Sequence, residues 1–318
     1  MKSIGTGLLS RREFNKHCLA LSSLAATFSG ALAPGAAAAV AATGAARTVR
    51  LGDGTIVPAI GQGSWHIGQE RHPAADEEEA LRTGLSLGMT LIDTSGNYGE
   101  GRSEELVKRV IAGQRNRAFL VSKVEANEAT GDALARACEA SLTRLGTDHL
   151  DLYLLHSPTP SAEFSEVVAG LEGLREAGKI RAWGVSNFTV TQMEDLFRSP
   201  QGDRCVTNQV FYNLNGRSIE RDLLPWCERH SMPVMAYSPL GGLGASLLGD
   251  PILRRIAAAH GCSAAAVALA WTIRSGNVIA IPESGSVAHV RENAVALSLT
   301  LTPQELQTLD AAHPLSGR

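Results

Sequence analysis

The feature that most limits the fold is an alternation, repeated eight times, of short apolar runs with amphipathic stretches. The runs are 59–61, 90–92, 119–121, 152–155, 182–185, 207–210, 234–237 and 278–281. Between them apolar residues recur at helical spacing over 75–87, 103–112, 132–145, 165–177, 191–197, 219–230, 263–274 and 287–296. Acidic Asp76, Glu77, Glu78 and Glu79 open the first of these, where a helix N-terminus favours negative charge. Runs that are apolar throughout describe strands covered on both faces, which is a parallel sheet clothed by helices. Eight such units in about 270 residues predict an α/β fold, a (β/α)8 TIM barrel. An open doubly wound sheet is the alternative, but no Gly-x-Gly-x-x-Gly follows the first run. Thr48–Leu51 and Thr55–Val57 flank an Asp53-Gly54 turn, so an N-terminal β-hairpin is expected to close the barrel bottom. With no linker or repeat after the leader, residues 47–318 read as a single domain.

The leader has its own pattern. Ser10-Arg11-Arg12-Glu13-Phe14-Asn15-Lys16 precedes a modestly apolar run from Cys18 to Leu32 and an Ala-rich tail. Paired arginines ahead of such a run read as a twin-arginine signal, which assigns residues 1–46 to a signal peptide and its cleavage region. The expectation is export by the twin-arginine translocase to a periplasmic or extracellular location. The apolar run is too short and too rich in Ser, Thr and Gly for stable membrane insertion. A net charge of -3 argues against nucleic acid or an anionic membrane as partner. The five cysteines form no Cys-x-x-Cys pair and have no histidine at zinc-ligand spacing, so reduced thiols and no metal are expected. A monomer is expected.

Four polar residues close or follow the apolar runs. Asp93 ends the second and Tyr98 follows it; Lys123 ends the third; His156 ends the fourth. In a barrel the C-terminal ends of the strands form the working face. A lone lysine or histidine after a strand is usually a solvated or rim residue. Three successive strands delivering an acid, a phenol, an amine and an imidazole to one mouth assemble a proton-handling set. A phenol titrates near pH 10, and a nearby ammonium is expected to lower that value, with Asp93 holding the lysine in place. Tyr98 can then give a proton to a carbonyl oxygen as hydride reaches the carbon, while His156 hydrogen-bonds that oxygen.

These residues lie in stretches that resemble a known family. Gly88-Met-Thr-Leu-Ile-Asp93-Thr-Ser-Gly-Asn-Tyr98-Gly-Glu-Gly-Arg-Ser-Glu104 and Leu150-Asp-Leu-Tyr-Leu-Leu-His156-Ser-Pro158 are similar to two signatures of the aldo-keto reductases. Gly184-Val-Ser-Asn-Phe188, Asn208-Gln209, Ala236-Tyr-Ser-Pro-Leu240, Ile281-Pro282 and Glu292-Asn293 extend the likeness from Thr48 to about Leu309. The resemblance implies reduction of aldehydes or ketones by NADP(H), without a metal. It implies a tetrad of Asp93, Tyr98, Lys123 and His156 with Tyr98 as proton donor. It places Ser186, Asn187 and Gln209 on the nicotinamide carboxamide and stacks Tyr237 on the ring. It puts Ser238, Leu240 and Gly241 in the pyrophosphate loop, and Ser284, His289, Glu292 and Asn293 among the cofactor-binding residues. Trp65 resembles the family's substrate-pocket aromatic.

One position departs from the pattern. The family usually carries Ile-Pro-Lys-Ser, and its lysine binds the adenosine 2′-phosphate; here the run is Ile281-Pro282-Glu283-Ser284. A carboxylate repels a 2′-phosphate and can accept from a ribose 2′-hydroxyl, so Glu283 suggests weaker NADP preference and opens the way to NAD(H). Loops 157–162 and 241–250 are short, which favours an open pocket and small aldehydes such as methylglyoxal. His66 is a further candidate for the pocket, and Trp183 is a candidate for the pocket or the core. The competing reading is a nucleotide-binding barrel with little turnover, a redox sensor or interaction module. A glycosidase barrel would want a second carboxylate partnering Asp93, and none stands out.

Overall fold

The computed structural model describes residues 46–158, 164–242 and 246–315, and the leader motif lies outside them. Strands β1 (Thr48–Arg50) and β2 (Ile56–Pro58) form the antiparallel hairpin, with Thr48 opposite Pro58. Its Gly52 amide donates to the Val206 carbonyl at 3.3 Å, just before a barrel strand begins, so the hairpin sits at the N-terminal ends as expected.

Eight parallel strands follow: β3 (Gln62–Gly63), β4 (Leu91–Asp93), β5 (Phe119–Val124), β6 (Leu150–Leu155), β7 (Ile180–Ser186), β8 (Asn208–Phe211), β9 (Val234–Tyr237) and β10 (Val278–Ala280). They are hydrogen-bonded in chain order. The ends of the sheet meet through parallel pairing of Ile60 with Ala280 and Gly63 with Glu283, which closes the barrel. The Gly61 amide donates to Ala280 at 2.8 Å and the Gly63 amide to Pro282 at 3.0 Å across this seam. Strand β6 shows why its sequence is apolar throughout. Leu152 and Leu154 pack into one core cluster, Tyr153 and Leu155 into another, and all four are fully buried.

The helices are α1 (Ala74–Ser86), α2 (Arg102–Ile111), α3 (Gly131–Leu145), α4 (Phe164–Glu176), α5 (Val190–Arg198), α6 (Leu223–Arg229), α7 (Pro251–His260), α8 (Ala264–Thr272), α9 (Val287–Ala294) and α10 (Pro303–Ala312). Two of them, α7 and α10, stand outside the eightfold alternation. Each has a clear start: the Asp250 side chain accepts from the Ile252 and Leu253 amides, and Thr302 and Glu305 form a reciprocal capping box. Trp183 belongs to the core. It is 1% exposed, and its indole donates to Glu172 on α4 at 2.6 Å.

Gly184 on β7 shows how tightly the wall packs. A Cβ there would stand 2.6 Å from the Thr207 carbonyl oxygen and 2.9 Å from a Leu154 methyl. Gly184→Ala is expected to cost about 1–3 kcal/mol by overpacking, read as a lower urea midpoint at unchanged slope.

Candidate active site

A cavity of about 510 Å³ opens at the C-terminal ends of the strands, within the range of small-molecule sites. Trp65, His66, Asp93, Tyr98 and His156 line it on one part of the barrel; Ser186, Asn187, Gln209, Tyr237, Ser238, Leu240 and Glu283 line the rest. Lys123 lies beneath, its side chain fully buried.

The barrel register brings this cluster together. Asp93 on β4 sits opposite Val121, and Lys123, two residues further along β5, sits opposite Leu154. The Lys123 ammonium donates to Asp93 Oδ1 at 2.7 Å, to the Thr94 carbonyl at 2.9 Å and to the Tyr98 hydroxyl at 3.2 Å. Its three protons are thereby placed. Asp93 Oδ2 accepts from Gln209 Nε2 at 2.8 Å, so both carboxylate oxygens are held. The Tyr98 and His156 rings meet edge to face, centroids 6.0 Å apart.

The electrostatics correct one expectation. Tyr98 is raised above the ordinary phenol value, not lowered: burial is the larger effect, and the Lys123 charge opposes it without prevailing. Burial alone would lower Lys123, but Asp93 and then Tyr98 outweigh it and the net direction is up. The site therefore holds a protonated phenol beside a charged ammonium across the neutral range.

His156 is pushed below the usual histidine range, first by burial and then by Lys123. Its Nδ1 lies 2.5 Å from Glu125 Oε1, which also accepts from Asn97 Nδ2 at 2.6 Å. A carboxylate only accepts, so Nδ1 carries the proton, and Nε2 can donate only when the ring is an imidazolium. Glu125 is a neighbour that sequence reasoning missed. It follows Lys123 by two residues, and nothing local signals that a carboxylate there will meet a histidine from the next strand.

The expected cofactor residues fall into two groups. Ser186 Oγ donates to the Gln209 carbonyl at 2.8 Å, Asn187 Nδ2 to the His156 carbonyl at 3.2 Å, and the Tyr237 hydroxyl to Asn187 Oδ1 at 3.0 Å. These contacts tie β7, β8 and β9 into one lining, with Asn187 in the left-handed region at φ 63°. After β9 the backbone turns left-handed again at Ser238 (φ 49°), Gly241 (φ 92°) and Gly242 (φ 79°). A chain bent this way exposes amide groups that suit phosphate oxygens, so this lining fits a dinucleotide. Gly241, Ser284, His289, Glu292 and Asn293 lie outside the cavity lining. His289 and Glu292 are exposed, whereas Asn293 is buried with Oδ1 unpartnered.

Glu283 is not placed as the nucleotide reading expected. Its Oε2 accepts from the His66 amide and its Oε1 meets His66 Nδ1, each at 2.9 Å. Both oxygens are already engaged with His66 inside the pocket.

Comparison with known proteins agrees with this geometry. The chain is 49% identical over 261 residues to methylglyoxal reductase YeaE of Escherichia coli K12, covering 81% of this chain and 92% of that one. It superposes on a crystal structure of an aldo/keto reductase from Klebsiella pneumoniae in complex with NADP and acetate with a TM-score of 0.83 at 45% identity, covering 86% and 98% of the two chains. An aldo/keto reductase from Brucella melitensis gives 0.74 at 32% identity, covering 84% and 99%.

The periplasmic or extracellular location expected from the leader is corrected by these matches. The similar enzymes are matched nearly end to end by about four-fifths of this chain, and none of them supports an exported enzyme. The translocase as a partner finds no support in these matches. No single described helix is long and apolar enough to cross a membrane. Residues 59–314 match the aldo/keto reductase family, and with relatives this similar along nearly their whole length, the chain belongs to that family.

Proposed function

We propose that residues 47–318 form one barrel domain that reduces small aldehydes and ketones to alcohols with NADPH, methylglyoxal among them. The observation that carries this is the buried Lys123 ammonium, which binds Asp93 and Tyr98 at the floor of a cavity large enough for a nicotinamide and a small carbonyl. The name of the Escherichia coli relative supports the substrate, and the complexes with NADP and with NADPH from Klebsiella pneumoniae support the nucleotide.

Bound NADPH supplies the hydride. Tyr98 supplies the proton to the carbonyl oxygen, and Lys123 stabilises the phenolate left behind. Asp93 holds Lys123 charged and, through Gln209, is linked to the lining where the nicotinamide carboxamide is read with Ser186 and Asn187. Tyr237 offers its ring to the nicotinamide, and Ser238, Leu240 and Gly241 take the phosphates. Ser284, His289, Glu292 and Asn293 serve the far end of the nucleotide. Trp65, which is 55% exposed at the cavity wall, forms one side of the substrate pocket.

His156 donates to the same oxygen from Nε2 when protonated. Its lowered pKa confines that form to acid pH, so its contribution is full below that lowered value and is lost as pH rises through it, before the usual histidine range is reached. The Glu125 carboxylate favours the charged ring, and Glu125→Gln is expected to move this rise in kcat/KM to still lower pH. A pH profile that does not move would remove Glu125 from the account.

The function itself is tested by NADPH consumption by the full chain with a panel of short aldehydes. Turnover with methylglyoxal is the expected result. Tight NADPH binding without any turnover would contradict it.

A further inference from the structure

Glu283 stands where the sequence of the barrel seam puts it, opposite Gly63 at the end of the last strand. From there its side chain reaches the segment that follows β3. It accepts the His66 amide and the His66 Nδ1 proton together. A second carboxylate, Glu77 on α1, accepts the Gly68 amide at 2.8 Å, and Gly68 takes φ 78° to turn there. The Ile67 amide closes onto the Ser64 carbonyl at 3.1 Å. The segment from Ser64 to Gly68 is thus fixed at three points and is not a free lid.

This fixing determines what His66 can offer. A carboxylate at Nδ1 requires the proton on that nitrogen, which leaves Nε2 of the neutral ring as an acceptor. Nε2 has no hydrogen-bond partner among the described residues, and the ring lines the cavity beside Trp65, whose ring centroid is 4.3 Å away. Tyr98 and His156 line the same cavity. The Glu283 charge also reaches Tyr98, where it adds to the effects opposing ionisation of the phenol.

We propose that His66, held by Glu283, is a substrate-recognition residue whose Nε2 accepts a hydrogen bond from a hydroxyl next to the reacting carbonyl. The favoured substrates are then 2-hydroxyaldehydes, preferred over plain alkanals of the same length. A 2-oxoaldehyde meets the same requirement when its second carbonyl is hydrated. Glu283 is the positioning residue and His66 the contact. This rests on the carbonyl-reductase reading above and narrows its substrate class.

The test compares 2-hydroxypropanal with propanal, using the full chain and NADPH. Wild type should show a higher kcat/KM for 2-hydroxypropanal. His66→Phe should shrink that ratio roughly tenfold, the worth of one neutral hydrogen bond. Glu283→Ala should shrink it too, chiefly through KM, with the Kd for NADPH unchanged. Glu283→Gln keeps an oxygen for the Nδ1 proton and should restore most of the ratio. If His66→Phe fails to fold, the two Glu283 variants read the same ratio. A ratio unchanged in His66→Phe, or one that Glu283→Ala leaves intact while NADPH affinity changes, overturns the proposal. The second of these results would return Glu283 to the nucleotide. No turnover of either aldehyde by wild type would instead sink the reductase reading, and the proposal with it.

Discussion

Tyr98→Phe should lower kcat/KM for small aldehydes by about 10²–10⁴, the usual worth of a positioned general acid, while NADPH still binds. The substitution removes one oxygen and leaves the ring. Lys123 keeps its bonds to Asp93 and to the Thr94 carbonyl, so the floor of the cavity stays assembled. What disappears is the phenol proton beside Lys123 that passes to the substrate. The wild-type pH profile should carry the same signature. Because burial holds the phenol above its ordinary value, the activity that depends on its proton persists through neutral pH. It is lost only as pH rises past that raised value. A loss of activity beginning near neutrality would mean that Lys123 wins over burial, the reverse of the balance described above.

The second large effect is on Lys123. Lys123→Met should abolish measurable reduction and also destabilise the barrel by about 3–5 kcal/mol, the cost of leaving one partner of a buried ion pair charged and alone. Asp93 would keep Gln209 but lose the cation at 2.7 Å. Replacing both members, as in Lys123→Met with Asp93→Leu, removes the stranded charge and should recover much of the stability without recovering activity. Urea unfolding of the two variants beside an NADPH assay separates these effects. A single variant as stable as wild type would contradict the view that this pair is buried and mutually dependent.

The fold was legible because a barrel repeats one message. Strand β6 is apolar on both faces, as Leu152 and Tyr153 show by packing into different clusters. Helices α7 and α10 escaped the eightfold alternation although their caps are written in the sequence, Asp250-Pro251 for one and Thr302-Pro303 with Glu305 for the other. The first barrel strand was anticipated over 59–61. Its regular part is Gln62–Gly63, which pairs with β4, whereas Ile60 meets Ala280 only through an isolated bridge.

The meeting of Asp93, Tyr98, Lys123 and His156 was legible for the same reason: strand ends share one rim. Side-chain partners across the rim were not. Glu125 with His156, and Glu283 with His66, are pairs between different strand ends, set by register and rotamer and by no local pattern. The direction of the Tyr98 shift was also out of reach, since it depends on how much water the closed cluster excludes.

The central claim is that hydride and proton reach one carbonyl in this cavity. It is tested most directly by supplying NADPH deuterated at the transferring carbon of the nicotinamide, together with methylglyoxal, to the full chain. The account predicts an alcohol carrying one deuterium for each NADPH consumed, and none from Tyr98→Phe on the same timescale. NADPH consumed without deuterium in the alcohol, or alcohol formed equally well by Tyr98→Phe, would contradict it.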